Sequence, residues 1–347
     1  MFMLKKKYIF GFFSTQKSIK QRWNMLLTFY NYLVKKLYLN NYPISLTIDP
    51  CNLCNLNCEL CPSGLKIPGR KQSIMRFDIF KKIIDECGPY LWDIYLFNWG
   101  EPLLNKELFR MIEYAKKYHI DTTVSTNLNY FNEEVCKKLI ESGLDILIVS
   151  LDGASQNSVQ HYQKGSDFEL VVSNMERIVK LKNKLDSKLP LVQWRYLENT
   201  LNEHEIEKAK TLAKQLGIDK LEIASFRCNM ADELFLNNEN QYQNVKSWLP
   251  KDEKLSMYDY KRKKKKKIKK LCRLLWFESV VNPYGSISPC CASWYERDDF
   301  GNISSSSFIE IWNNQEYKTA RRIYTNRKKI PMESNICYVC YKNKAII

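Results

Sequence analysis

Between residues 44 and 227 the chain alternates two patterns of apolar and polar positions. Short runs rich in apolar and β-branched residues predict strands at Ile44–Asp49, Asp93–Asn98, Asp121–Thr126, Asp145–Ser150, Leu191–Leu197 and Lys220–Phe226. Longer stretches between them, with apolar residues three and four apart, predict helices. Repeated strand–helix units predict an α/β fold: a parallel sheet with helices outside, either a partial (β/α)6 TIM-like barrel or an open doubly wound sheet. In both, ligands gather at the carboxyl ends of the strands. The helix from Glu203 has the clearest signals: Asn202 as N-cap, Glu205 completing a capping box, and Gly217 where the helix should stop.

Upstream, Ile19, Trp23, Leu26, Tyr30, Leu33 and Leu37 recur at alternating steps of four and three. They predict an amphipathic helix over 17–39, ended by Pro43, with its apolar side packed on the next domain and membrane-surface binding as the lesser expectation. Residues 228–270 lose the pattern, are Asn-rich and end in a basic run. From 271 a compact module is expected, with a hairpin over Phe277–Ser288 turning at Asn282-Pro-Tyr-Gly285, a helix around Ser306–Tyr324, and Cys337-Tyr-Val-Cys340. The expected organisation is a basic helical segment (1–43), the barrel (44–227), a linker (228–270) and a cysteine-rich module (271–347).

Charge changes this picture only locally. The net charge of +16 is concentrated: residues 1–40 hold eight Lys/Arg and no Asp/Glu, and 261–270 hold nine Lys/Arg and no acid. The rest of the chain is nearly neutral. The basic segments suit solvated surfaces first, and an acidic peptide, nucleic acid or anionic membrane second. No apolar run reaches the roughly eighteen residues of a membrane span, and no small-residue cleavage site follows Tyr8-Ile-Phe-Gly-Phe-Phe13. A cytoplasmic protein is expected.

Twelve cysteines are many for such a chain. Thiols stay reduced in the cytosol, so clustered cysteines there suggest metal. Cys51, Cys54, Cys58 and Cys61 form one cluster and Cys272, Cys290, Cys291, Cys337 and Cys340 another, which suggests two centres. The first set could make a four-cysteine zinc site, but zinc ribbons separate their pairs by a longer loop, roughly fifteen to twenty residues. A C-x3-C-x2-C set (Cys54, Cys58, Cys61) suits three corners of a four-iron cluster, with one iron left open. Cys87 and Cys136 read as buried structural thiols. Cys228, after the sixth strand, has no sign of activation.

Cys54-Asn-Leu-Asn-Cys58-Glu-Leu-Cys61 resembles the cluster loop of radical S-adenosylmethionine (radical SAM) enzymes. Trp99-Gly100-Glu101-Pro102 after strand two is similar to that family's Gly-Gly-Glu-Pro motif. Ser125-Thr126-Asn127 ends strand three, and Ser150-Leu151-Asp152-Gly153 ends strand four. The C-terminal spacing resembles the SPASM/twitch extension: Cys272, Gly285, Cys290, a long gap, then Cys337-x2-Cys340. The resemblance covers roughly residues 44–347.

The resemblance implies that Cys54, Cys58 and Cys61 hold a [4Fe-4S] cluster whose open iron is chelated by S-adenosylmethionine. Reductive cleavage then gives a 5′-deoxyadenosyl radical, which takes a hydrogen atom from substrate. It implies backbone carbonyls of Gly100 and Glu101 toward the methionyl amine, Trp99 and Pro102 shaping that turn, and Leu60 near the adenine. Ser125, Asn127 and Ser150 would hydrogen-bond the ribose or carboxylate. Asp152 would fix its turn. Gln163 stands where the family has a carboxylate-binding arginine, and Lys164 is the adjacent charge. Cys272, Cys290, Cys337 and Cys340 would saturate one auxiliary [4Fe-4S] cluster, with Cys291 able to exchange for Cys290; a structural zinc site is the alternative.

The expected function is a radical SAM oxidation or maturation step assisted by the auxiliary cluster, supplied by an electron donor such as flavodoxin or ferredoxin. The substrate leans toward a small molecule or carbohydrate; the alternative is a peptide that is crosslinked or epimerised. A non-enzymatic zinc- or cluster-bearing nucleic-acid binder is the rival from another class.

Overall fold

The computed structural model describes residues 16–225, 246–256, 258–261, 264–266, 271–325 and 335–342. Cys228, Phe226 and most of the expected linker and basic run lie outside them. The described chain opens with helix α1 (Ile19–Leu33), followed by β1 (Ser45–Ile48), α2 (Phe77–Cys87), β2 (Asp93–Tyr95), α3 (Leu108–Lys116) and β3 (Asp121–Thr126). Then come α4 (Glu133–Glu141), β4 (Ile146–Ser150), α5 (Gln156–Tyr162), α6 (Phe168–Lys184), β5 (Leu191–Glu198), α7 (Ile206–Leu216) and β6 (Lys220–Ser225). The strands lie in sequence order, each parallel to the next. This is the partial TIM-like arrangement predicted from the alternation. Leu46, Ile94, Val124, Leu147, Val149, Val192 and Trp194 are buried in its core, the near-continuous apolar character that a helix-covered parallel sheet requires.

The C-terminal segment extends the same sheet. After a two-stranded ribbon, β7 (Tyr258–Asp259) with β8 (Lys264–Lys265), and a short helix α8 (Leu274–Phe277), β9 (Glu278–Val281) pairs parallel with β1. Strands β10 (Ser286–Ser288) and β11 (Gly301–Asn302) follow antiparallel, giving the order β11-β10-β9-β1-β2-β3-β4-β5-β6. The predicted turn is present, with Gly285 at φ +86°, a conformation that favours glycine. The single helix expected around Ser306–Tyr324 is instead two, α9 (Phe308–Trp312) and α10 (Gln315–Thr325), before α11 (Ile336–Lys342). The break falls at Asn313-Asn314. Asn313 exchanges hydrogen bonds with the Leu39 backbone (2.7 and 2.8 Å), and Asn314 donates to the Phe300 carbonyl at 2.6 Å. Short polar side chains that bind backbone elsewhere interrupt a helix.

The amphipathic helix is present but inverted and shorter than expected. It ends at Leu33, where Lys35 turns into the left-handed region (φ +56°), well before Pro43. Its apolar stripe faces outward: Ile19, Trp23, Leu26, Tyr30 and Leu33 are 84, 62, 46, 58 and 72% exposed. The buried residues are Gln21, Asn24, Met25, Thr28 and Asn31. Core packing by the stripe is therefore overturned. The reason lies in what the helix covers, which is the loops entering β1, β2 and β3. Lys17 donates to the Trp92 and His119 carbonyls (2.7 and 2.6 Å), Gln21 to Leu91 and Tyr118 (2.6 and 3.0 Å), and Asn24 to Tyr42 and Tyr90 (3.1 and 3.2 Å). Buried carbonyls need donors, which an apolar face cannot supply.

The capping box expected at α7 is also replaced. A 3-10 turn at Glu203–Glu205 precedes α7, and Asn202 makes no side-chain cap. Asn202 turns inward to the Asp152 and Leu197 carbonyls (both 2.9 Å), while Glu205 accepts from the Ala154 amide at 2.8 Å and from the Ser155 and Ser158 hydroxyls. The carboxylate thus serves the start of α5, where a helix N-terminus attracts negative charge. Gly217 stops α7 as expected, at φ +70°.

Candidate active site

The loop after β1 carries Cys54, Cys58 and Cys61, all half-buried at the carboxyl end of the sheet. Its path is fixed by backbone. The Leu53 carbonyl accepts from Glu101 (2.8 Å), and the Asn57 and Glu59 amides donate to the Lys164 and Tyr162 carbonyls (both 2.9 Å). Leu60 sits between the second and third cysteines at φ +61°, turning the loop so that the Cys61 amide reaches the Cys58 carbonyl at 3.4 Å. Burial pushes the Cys54 thiol up to about 11 and Cys58 further still, and the other thiols of the loop add to the rise. Cys51 faces inward, fully buried, its Sγ 3.6 Å from the Leu53 carbonyl.

The loop after β2 presses against this one. A Cβ on Gly100 would lie 2.0 Å from the Cys51 carbonyl and 2.5 Å from that of Leu53, so only glycine fits. Pro102 opens a 3-10 turn, Pro102–Leu104, in which the Glu101 carbonyl already accepts from Leu104 at 3.2 Å; its second lone pair is still available. The Glu101 side chain, 1% exposed, accepts from the Leu103 amide (3.0 Å), the Thr126 hydroxyl (2.7 Å) and the Asn127 amide (2.8 Å). It clamps this loop to the end of β3, and burial raises its pKa to about 6. Sequence reasoning placed only its backbone in the site. Trp99 is buried and meets Trp294 of the C-terminal segment edge-on at 5.4 Å.

At the ends of β3 and β4 the Ser125 and Ser150 hydroxyls lie 3.0 Å apart. Asn127 donates to Asn55 Oδ1 at 2.9 Å and approaches Cys54 Sγ at 3.8 Å, so it touches the cysteine loop directly. Asp152 is buried, accepts from the Leu197 amide at 2.8 Å, and has its pKa pushed up to about 7 by burial. It ties β4 to β5, as expected for a turn-fixing residue. Gln163 is a buried staple: its amide donates to the Ser150 carbonyl (2.9 Å) and accepts from the Asp152 amide (2.8 Å). Lys164 is ion-paired with Glu59 of the cysteine loop. A guanidinium that sequence reasoning missed is Arg195, aligned with Ser150 in the β4–β5 register and 3.2 Å from Glu222. Burial alternates along β5, which puts Gln193 and Arg195 on its less buried face.

The second cysteine set is enclosed. Cys272 and Cys337 are buried, and Cys290 and Cys340 are partly buried against the same core. Burial pushes Cys272 up to about 12, with Cys340 adding to it; Cys337 is raised by burial and then by Cys290, Cys272 and Cys340. The four thiols lie close enough to influence one another, and Cys291 acts on Cys290 as well. Among the described residues no three His, Cys, Asp or Glu side chains converge on a single metal ion. A tetrahedral zinc would draw its thiolates to about 3.8 Å of one another, given its bond length. Both sets consist of thiols, the donors that iron–sulfur clusters use.

Two family models match: "Radical SAM superfamily" over residues 48–192 and the SPASM "Iron-sulfur cluster-binding domain" over 272–341. The chain belongs to the radical SAM superfamily. It is a radical SAM enzyme with a SPASM domain, and its cofactors are a [4Fe-4S] cluster with S-adenosylmethionine and an auxiliary iron–sulfur centre. This replaces the nucleic-acid-binding alternative. The chain is 22% identical over 81% of its length to the tungsten-containing aldehyde ferredoxin oxidoreductase cofactor-modifying protein of Pyrococcus furiosus, covering 84% of that protein. It is 25% identical over 76% of its length to the AdoMet-dependent heme synthase of Methanosarcina barkeri, covering 80% of it. Its fold is similar to Streptococcus suis SuiB bound to S-adenosylmethionine, with TM-score 0.60 and 15% identity over 84% of this chain and 70% of that one. Among the described residues of this radical SAM enzyme, no helix is long and apolar enough to cross a membrane.

Proposed function

We propose that this enzyme oxidises a small, cofactor-like molecule in a biosynthetic or maturation step. Cys54, Cys58 and Cys61 hold the S-adenosylmethionine-binding cluster; Cys272, Cys290, Cys337 and Cys340 hold the auxiliary one. When bound, the cluster and S-adenosylmethionine would supply the chemistry for hydrogen-atom abstraction from an unactivated carbon. The chain's own residues position that chemistry. Gly100 and Glu101 would offer backbone carbonyls to the methionyl amine, Leu60 would lie near the adenine, and Trp99, packed on Trp294, shapes the turn. Ser125, Asn127 and Ser150 bind polar groups of the nucleoside and carboxylate. Arg195 supplies the cationic partner that Gln163 cannot. A reducing, cytoplasmic setting and a flavodoxin- or ferredoxin-type donor complete the reading.

The observation that carries it is the shared sheet. β1 leads into the half-buried cysteine loop, and its partner β9 runs between Cys272 and Cys290. One set is half-buried on a loop and the other is anchored in the core by Cys272 and Cys337, which suits hydrogen abstraction at the first and electron removal through the second. The Pyrococcus cofactor-modifying protein and the Methanosarcina heme synthase, both concerned by name with cofactors, support the substrate class. A peptide substrate is the second reading, favoured by the similar fold of SuiB solved with its precursor peptide (TM-score 0.59).

The test is anaerobic purification with iron and sulfide counting, followed by reductant and S-adenosylmethionine. About eight irons per chain are expected, with release of 5′-deoxyadenosine. A Cys54→Ala, Cys58→Ala, Cys61→Ala variant should keep about four irons and lose cleavage. Bound zinc with no nucleoside product would sink the reading.

A further inference from the structure

The outward stripe of α1 is unexplained by the chemistry. Ile19, Trp23, Leu26, Tyr30 and Leu33 fall within roughly 80° of the helix circumference. Val34 and Tyr38, 51 and 61% exposed, prolong the apolar surface beyond the helix end. Lys20, Lys35 and Lys36 are exposed around it and have no carboxylate partner among the described residues. Arg22 lies along the other flank. Across residues 1–40 there is no acid at all, and Lys5, Lys6 and Lys7 add to the same charge.

We propose that α1 docks this enzyme on the surface of an anionic lipid bilayer. A helix with Trp, Tyr and Leu on one side and lysines along its edges lies in the interfacial plane, its apolar side among the acyl chains and its lysines against anionic headgroups. The opposite side of α1 is already fastened to the body by Lys17, Gln21 and Asn24, so docking needs no rearrangement of the fold. A second copy is the poorer occupant. A two-fold contact through this stripe would set basic segments together with no acid in either to neutralise them. The placement is also functional. α1 covers the loops entering the strands, while the Cys54–Cys61 loop lies at their carboxyl ends. A docked enzyme therefore turns its cysteine loop away from the bilayer and keeps it open to soluble substrate and electron donor.

The full-length protein is to be sedimented with vesicles of phosphatidylcholine alone and of phosphatidylcholine mixed with phosphatidylglycerol. Binding to the mixed vesicles should exceed binding to the neutral ones by about tenfold or more and should fall with added salt. Changing Trp23→Ser, Leu26→Ser and Leu33→Ser should abolish binding while iron content and circular dichroism stay at the wild-type level. Changing Lys20→Glu, Lys35→Glu and Lys36→Glu should remove the preference for anionic vesicles. The proposal is overturned if the intact protein ignores the mixed vesicles or if the serine variant binds them as well as wild type. It is equally overturned if the stripe instead supports a dimer that the serine variant dissolves without any vesicle binding.

Discussion

The two cysteine sets differ in how their thiols are held: the first lies wholly on a half-buried loop, while the second has two of its thiols, Cys272 and Cys337, in the core. Cys54, Cys58 and Cys61 are half-buried on a loop whose backbone is fastened by Glu101 and by the carbonyls of Tyr162 and Lys164. Cys272 and Cys337 are packed into the core near Tyr317 and Tyr324, and the Tyr324 hydroxyl donates to the Cys337 carbonyl at 3.3 Å. The support differs as well. Around the first set, Asp49, Glu101 and Asp152 are buried carboxylates with pKa values raised by burial. In the second region the buried carboxylate, Asp299, is paired with Arg70, which reaches across from the end of the cysteine loop. One region keeps an approach open and holds its loop by hydrogen bonds. The other surrounds its thiols with apolar side chains.

The largest expected break in this comparison comes from Cys272→Ala with Cys337→Ala. The variant should lose about four irons, retain 5′-deoxyadenosine release and lose product formation. Loss of nucleoside release together with the auxiliary iron would mean that the two sets do not act separately. Arg70→Met tests the link between the regions. It strands Asp299 among the Ser286 and Ser288 hydroxyls and should cost about 3–5 kcal/mol in urea unfolding of the metal-free protein. A cost near that of an exposed pair would show the two regions to be energetically independent.

The smallest effect concerns pH. Asp152 moves from 3.8 to about 7 on folding. Between those values the folded chain holds a proton that the unfolded chain has released, so this group's contribution to stability falls as pH rises through the window. Asp152→Asn keeps an acceptor for Leu197 and removes the titration. The urea midpoint of the metal-free variant should change less between about pH 5 and about pH 8 than that of wild type. An unchanged slope would place the titration elsewhere.

Much of the fold could be read directly. All six barrel strands lie where the short apolar and β-branched runs put them: β4 is apolar almost throughout, while β5 alternates because only one of its faces is buried. The cysteine loop, Trp99–Pro102, Ser125, Asn127 and Ser150 converge because successive parallel strands bring their carboxyl ends together. Three things were not legible. Glu205 fits a capping box by spacing, yet it serves a different helix. Gln163 holds backbone at Ser150 and Asp152, a role that only the folded turn defines. Arg195 became a candidate only when the register set it beside Ser150.

The sequence alone determined the family chemistry, since cysteine spacing and strand-end motifs are local, and local geometry follows from neighbours along the chain. It also determined that residues 19–33 form a helix with one apolar side. Which side of that helix meets the body was decided only in three dimensions. The loops it covers present carbonyls, a buried carbonyl needs a donor, and Lys17, Gln21 and Asn24 supply donors where leucines cannot. The pairing of β9 with β1, which joins the two cysteine sets through one sheet, was decided in the same way, by partners 233 residues apart in the chain (Ser45 and Glu278).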